Sequence, residues 1–183
     1  MIKTEIISVG IDLSLTGTGV VVLKNGKMIK KRLIKTKPTP NGKPIDEVNR
    51  IRKIVEEIEL IITEEDQPGI AVIEGLAFGV RNATALVQLS ALNYMTRALL
   101  VDYQIPFIIV APTSLKKFVT GSGASKKDVM LIETFKRYGI TILNDNENDA
   151  YGLAQIGLAL KGGNSKAIIQ KQEEVLKLLK KQI

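Results

Sequence analysis

The chain has no cysteine, no histidine and no tryptophan among its 183 residues. Without cysteine there is no disulfide framework and no thiolate metal site. Without histidine the commonest general base and zinc ligand is missing. Any catalysis must therefore run on carboxylates, lysines, hydroxyls or a bound hard cation. Long apolar runs are missing too: none approaches the roughly 20 residues of a membrane span. Met1-Ile2-Lys3-Thr4-Glu5 lacks the charged and apolar regions of a signal peptide. A cytoplasmic protein with no membrane partner is expected.

What is present is an apolar fraction of 45% with 25% charged residues, the balance of a soluble globular protein. The length suits one α/β domain with a real core. The net charge of +7 is unevenly spread. Eleven basic residues lie between Lys24 and Lys53 against only Asp46 and Glu47, and then seven acidic residues and no basic one from Ile54 to Glu74. A second basic cluster, Lys116, Lys117, Lys126 and Lys127, flanks a Gly-Ser-Gly turn. Any single lysine of this kind suits a solvated surface. Clusters this lopsided point to a polyanionic partner, nucleic acid before membrane. They place Lys30, Lys31, Arg32, Lys117 and Lys126 among the candidate DNA-binding residues.

Along the chain, Ile6–Asp12 and Gly19–Leu23 read as strands joined by a polar, glycine-containing turn. Lys24-Asn25-Gly26-Lys27 carries the Asn-Gly signal of a tight hairpin into Met28–Ile34. Thr36–Pro44 is a loop. Ile45, Val48, Ile51, Val55, Ile58 and Ile62 fall three and four apart, which predicts an amphipathic helix ending before Pro68-Gly69. Ile70–Ile73 is an unbroken apolar run, as in a buried central strand. Asn82 suits the cap of a helix over 83–103, Pro106–Ala111 reads as another buried strand, and Pro112 opens a short helix. Ser125 and Asp128 have capping-box spacing. Glu147–Leu160 and Ser165–Ile183 read as the last two helices. The fold class is α/β: a mixed central sheet, antiparallel hairpins then parallel strands, with helices on both faces.

The stretch Ile7-Ser8-Val9-Gly10-Ile11-Asp12 puts a carboxylate inside a strand, where an ionised Asp is costly without a partner. Glu74 ends the buried run after four apolar residues. Asp149 lies near the start of the Glu147 helix, where the helix dipole alone could account for it. A parallel pairing of the first strand with the Ile70 strand brings Asp12 and Glu74 to one end of the sheet, where α/β ligand sites gather. Three carboxylates in one cleft repel one another unless a cation neutralises them. With no His or Cys that cation is hard: Mg²⁺, with Mn²⁺ as a substitute. Two such ions roughly 4 Å apart hydrolyse phosphodiesters without a side-chain nucleophile.

The order of strand-Asp12, Gly-rich turn, hairpin, strand-Glu74, Pro112-Thr113-Ser114-Leu115-Lys116-Lys117, Gly121-Ser122-Gly123-Ala124-Ser125-Lys126-Lys127 and Asp149-Ala150 resembles the RuvC-type Holliday junction resolvases of the RNase H-like superfamily. The resemblance spans residues 6 to 161. It implies an RNase H-like nuclease domain over 1–161; the last helix lies outside the resemblance, and 162–183 reads as a C-terminal amphipathic helical extension of the same domain. It also implies a homodimeric endonuclease, without a nucleotide cofactor, that binds branched DNA at four-way junctions and nicks two strands. In that pattern Asp12, Glu74 and Asp149 match acidic ligands of two ions per site, and Lys116 and Lys127 match catalytic basic residues near the scissile phosphate. Two departures stand out. The family's fourth carboxylate falls at Asn146, which keeps a carbonyl oxygen but no charge; Asp145 is the alternative ligand. The aromatic at Phe78 is one position later than the family's base-stacking Phe, and Arg81 in the same segment joins the DNA-binding set.

Three other readings compete. Gly10-Ile11-Asp12 with Thr16-Gly17-Thr18-Gly19 also resembles the phosphate loop of actin-like ATPases and sugar kinases, which need a second such domain. Asn146 favours a catalytically weak or inactive binder of branched nucleic acid. A RuvC-like nuclease of RNA processing is the third.

Overall fold

The computed structural model describes residues 5–38, 42–64, 67–76, 83–163 and 169–182. Five strands, β1 (Ile7–Asp12), β2 (Gly17–Lys24), β3 (Lys27–Lys35), β4 (Ile70–Glu74) and β5 (Phe107–Val110), form one sheet in the order β3-β2-β1-β4-β5. The first three run antiparallel, and β4 and β5 run parallel to β1. Asn25 and Gly26, at φ of 52° and 84°, supply the two left-handed positions that the tight β2–β3 turn demands. Strands β1, β2 and β4 are buried almost throughout, which is why they read as continuous apolar runs.

Helices α1 (Pro44–Thr63) and α2 (Ala83–Asp102) pack on one face, against Val9, Ile11, Val20, Val22, Ala71 and Ile73. The other face carries α3 (Pro112–Thr120), α4 (Lys127–Tyr138), α5 (Asp145–Leu160) and α6 (Gln170–Leu179), against Ile70, Val72, Ile108, Val110, Val21 and Leu23. Alternate strand residues thus serve two cores. Helix α6 buries Val175, Leu176 and Leu179 in the second of them. Among the described residues no helix is long and apolar enough to cross a membrane.

Several elements differ from the sequence expectation. Ile45 and Val48 are exposed, and α1 meets the core from Ile51 onward through Ile54, Ile58, Ile61 and Ile62. The Ser125–Asp128 capping box does not form, because the Ser125 hydroxyl turns back to Thr120 Oγ1 (2.7 Å) and the Ser122 carbonyl (3.0 Å). Helix α5 starts at Asp145, two residues early, because the Asn144 side chain accepts from the N–H groups of Asn146 (3.0 Å) and Glu147 (3.2 Å). The expected cap Asn82 and the first residues of the expected last helix lie outside the described residues.

The placement of α5 matters most for the site. A Cβ on Gly10 would collide with the Ala150 carbonyl, and one on Gly19 with the Asn146 carbonyl. Bare backbone at these two points lets α5 lie directly on β1 and β2. Helix contact thus explains Gly19 without a phosphate loop.

Candidate active site

The site begins with two strand ends. In the parallel β1–β4 pair Ile11 lies opposite Ile73, so the next residues, Asp12 and Glu74, leave the sheet side by side. Asp12 is only 6% exposed. The two carboxyl groups lie close enough to interact directly. Burial, then the Glu74 charge, pushes Asp12 up to about 8, and burial also raises Glu74. Two acids that cannot both ionise cheaply are a natural seat for a cation.

Helix α5 supplies the third. Asp149 sits on its second turn and is pushed up to about 7 by burial and then by the Asp12 charge. Lys116 of α3 and Lys127, the first residue of α4, act on the same acids: each lowers Glu74 and Asp149. Lys127 is held by Asp145 at 3.2 Å, and that hydrogen bond raises its own pKa. Asp12, Glu74, Asp149, Lys116 and Lys127 therefore form one electrostatic unit drawn from five elements. As their side chains stand, Asp12 and Glu74 turn to one another, and among the described residues no three acidic groups gather closely enough to hold an ion. The donor set still fits a hard divalent cation by its chemistry: all oxygen, largely buried, and raised first by burial and then by neighbouring negative charge.

Asn146 is turned elsewhere. Its side-chain amide donates to the Gly17 carbonyl at the start of β2. Asp145, the alternative, is within Coulombic reach of Asp149 but is engaged by Lys127.

The described candidate DNA-binding residues sit on separate elements: Lys30, Lys31 and Arg32 on β3, Lys117 on α3 and Lys126 at the start of α4. Lys30 pairs with Glu64, Lys31 with Glu147 (2.9 Å) and Lys117 with Glu174 of α6 (2.7 Å), so three of them are neutralised within the fold. Arg32 and Lys126 are exposed. Phe78 and Arg81 lie outside the described residues. One residue that spacing does not single out is Arg50 of α1. Its Nε donates to Thr36 Oγ1 (2.8 Å) and its Nη2 to the Leu15 carbonyl, in the turn that follows Asp12. It was hidden in the basic block because its partners are distant in sequence.

A family model described as crossover junction endodeoxyribonuclease RuvC matches residues 8–155. The protein of that description from Carboxydothermus hydrogenoformans is 30% identical over 159 residues, covering 85% of this chain and 97% of that one. The Thermus thermophilus RuvC structure superposes with a TM-score of 0.67 at 17% identity, covering 88% of this chain and 100% of that one. The structure of T. thermophilus RuvC in complex with Holliday junction substrate gives 0.67 at 15% identity, covering 88% and 99%. The likenesses to solved structures bear out the expected RNase H-like fold.

Proposed function

The chain belongs to the RuvC family of crossover junction endodeoxyribonucleases, and from that premise we propose a metal-dependent, structure-selective endodeoxyribonuclease that binds four-way Holliday junctions and nicks them by phosphodiester hydrolysis. One observation carries the reading. Asp12 and Glu74 end adjacent parallel strands with Asp149, Lys116 and Lys127 in Coulombic reach, and burial and mutual repulsion raise all three acids.

Asp12, Glu74 and Asp149 would hold Mg²⁺ or Mn²⁺, two ions per site, with Asn146 or Asp145 as the fourth ligand. Such ions supply an activated water and neutralise charge building on the phosphate. The chain's own groups do the positioning. Lys116 and Lys127 offer ammonium groups to the scissile phosphate from the first face of α3 and the start of α4. Asp145 holds Lys127 there while leaving it charged. The close seat of α5 on Gly10 and Gly19 fixes Asp149 against the strand ends. The buried face of α6 supports reading the C-terminal segment as an extension of the same domain.

The reading includes a homodimer. On α2 the exposed residues Thr84, Val87, Ala91, Tyr94, Ala98 and Val101 repeat at spacings of three and four. Val87, Tyr94 and Val101 are 68%, 65% and 62% exposed. The opposite face, with Leu92, Thr96, Leu99 and Leu100, is buried in the core. A helix apolar on both faces with a heptad seam outward suits packing against the same helix of a second copy.

The test is a nicking assay with Mg²⁺ or Mn²⁺ on four-way, forked and linear DNA. Nicks at the branch of the four-way junction are expected, with linear duplex left intact. Tight junction binding without nicking in either metal would favour the non-cutting binder, a reading that the engagement of Asn146 with Gly17 supports. Equal cutting of linear duplex would overturn structure selectivity.

A further inference from the structure

We propose that the trough between the end of β3 and the outer side of α1 is a phosphate-backbone track for a DNA arm leaving the cleavage site. The inference rests on the nuclease reading above and names where the substrate continues. A cavity of about 560 Å³ lies there, lined by Lys35, Thr36, Lys37, Asp46, Asn49, Arg50 and Lys53. Four cations face one carboxylate.

The pairing pattern makes this trough different from the rest of the basic block. Lys30 and Lys31, on the same strand, are neutralised by Glu64 and Glu147. Lys35, Lys37 and Lys53 are exposed and make no ion pair among the described residues. The fold thus pairs Lys30 and Lys31 in the middle of β3, beside an exposed Arg32, and leaves Lys35 unpaired at the end nearest the catalytic turn. Uncancelled, hydrated ammonium groups in a concave surface are the feature that displaces counterions from a phosphate backbone.

Arg50 ties the trough to the site. It is half-buried, and its fork braces both Thr36 and the carbonyl of Leu15, three residues after Asp12. A second cavity of about 250 Å³, with Leu15, Thr16, Ala85 and Gln88 among its lining residues, also includes Arg50. The two cavities share Arg50, and the second, which Glu47 also lines, reaches the turn that follows the catalytic Asp12. A strand whose scissile phosphate lies at Asp12 has this exit available. The contacts are to phosphate, so the track should add affinity without sequence preference.

The decisive variant is Lys35→Gln, Lys37→Gln and Lys53→Gln together in the full chain, compared with the parent on four-way junctions with long and with trimmed arms. Loss of three phosphate contacts should flatten the dependence of log K on log[salt] by about 2.7. Affinity for the long-armed junction should fall by about tenfold at moderate salt. With trimmed arms the two proteins should bind alike, and nicking of saturated junction should be unchanged. The Arg triple variant at the same positions should bind as the parent does, since charge is the operative property. An unchanged salt slope in the Gln variant, or loss of binding in the Arg variant, overturns the track. Failure of the parent protein to nick any junction overturns the nuclease reading instead, so the two failures are separable.

Discussion

The side-chain amide of Asn146 donates to the backbone carbonyl of Gly17, tying the first turn of α5 to the first residue of β2. A carboxylate in that position would face a carbonyl oxygen and be repelled toward the cleft that Asp149 occupies, since residues three apart share a helix face. Asn146→Asp should therefore raise nuclease activity, with the larger gain in Mg²⁺, which dehydrates more reluctantly than Mn²⁺ and depends more on anionic ligands. Asp145→Asn should lower activity in both metals by releasing Lys127. Initial nicking rates of both variants in each metal decide the matter. If neither rate moves, this turn of α5 does not serve the second ion.

Asp12→Asn should abolish cleavage and leave junction binding intact or tighter. The change removes a shared ligand and also a negative charge close to the phosphate. Nicking rates and a binding isotherm on one four-way junction separate the two effects. Retention of a tenth of the parent rate would remove Asp12 from the catalytic set.

The raised acids predict how stability depends on pH. Asp12 titrates at about 8 and Asp149 at about 7 in the folded protein, against 3.8 ordinarily. Between those limits the folded state binds more protons than the unfolded one, so stability falls as pH rises. The full stability belongs below about pH 4 for these groups and is lost progressively up to about 8. In chelator, the parent and Asp12→Asn should melt alike below about pH 4, where Asp12 is neutral in both the folded and the unfolded state. Near pH 8.5 the Asn variant should melt higher by at least about 3 °C, because each kcal/mol is worth roughly 2–4 °C at this size. Added Mg²⁺ should raise the parent's melting point more at the higher pH. A constant difference between the two proteins across this range would contradict the burial of a titrating Asp12.

Ala91 lies at the middle of the exposed α2 stripe. If the proposed dimer pairs through this stripe, Ala91→Glu should leave the protein monomeric, because two like charges would meet at the seam of a paired helix. Sedimentation velocity reads the state, and coordinated nicking of two strands should fall while single nicks persist. A variant that remains dimeric would mean that another surface joins the copies.

Much of the fold was legible because its signals are local. The Asn25-Gly26 pair announces its own turn, and the apolar runs of β1 and β4 announce burial on two faces. Asp12 and Glu74 stood out for the same reason, as carboxylates that strand chemistry does not explain. Local signals misled where a partner was distant. Ser125 has the spacing of a cap, yet the Thr120 hydroxyl claims it. Lys30, Lys31 and Lys117 look like free cations in a basic block, yet Glu64, Glu147 and Glu174 lie across the fold from them.

The sequence by itself determined the class of chemistry: no histidine or cysteine, three awkward carboxylates and a lopsided positive charge leave a hard cation and a polyanion. Residue types carry those properties wherever the chain goes. Only the tertiary structure decided which charges remain available. Parallel pairing set Asp12 beside Glu74, and the seat of α5 on Gly10 and Gly19 brought Asp149 to them. Cross-fold ion pairs engaged Lys30 and Lys31 and left Lys35, Lys37 and Lys53 unpaired beside Arg50. Coulombic interaction and desolvation depend on distance and burial in space, and neither quantity is a function of separation along the chain.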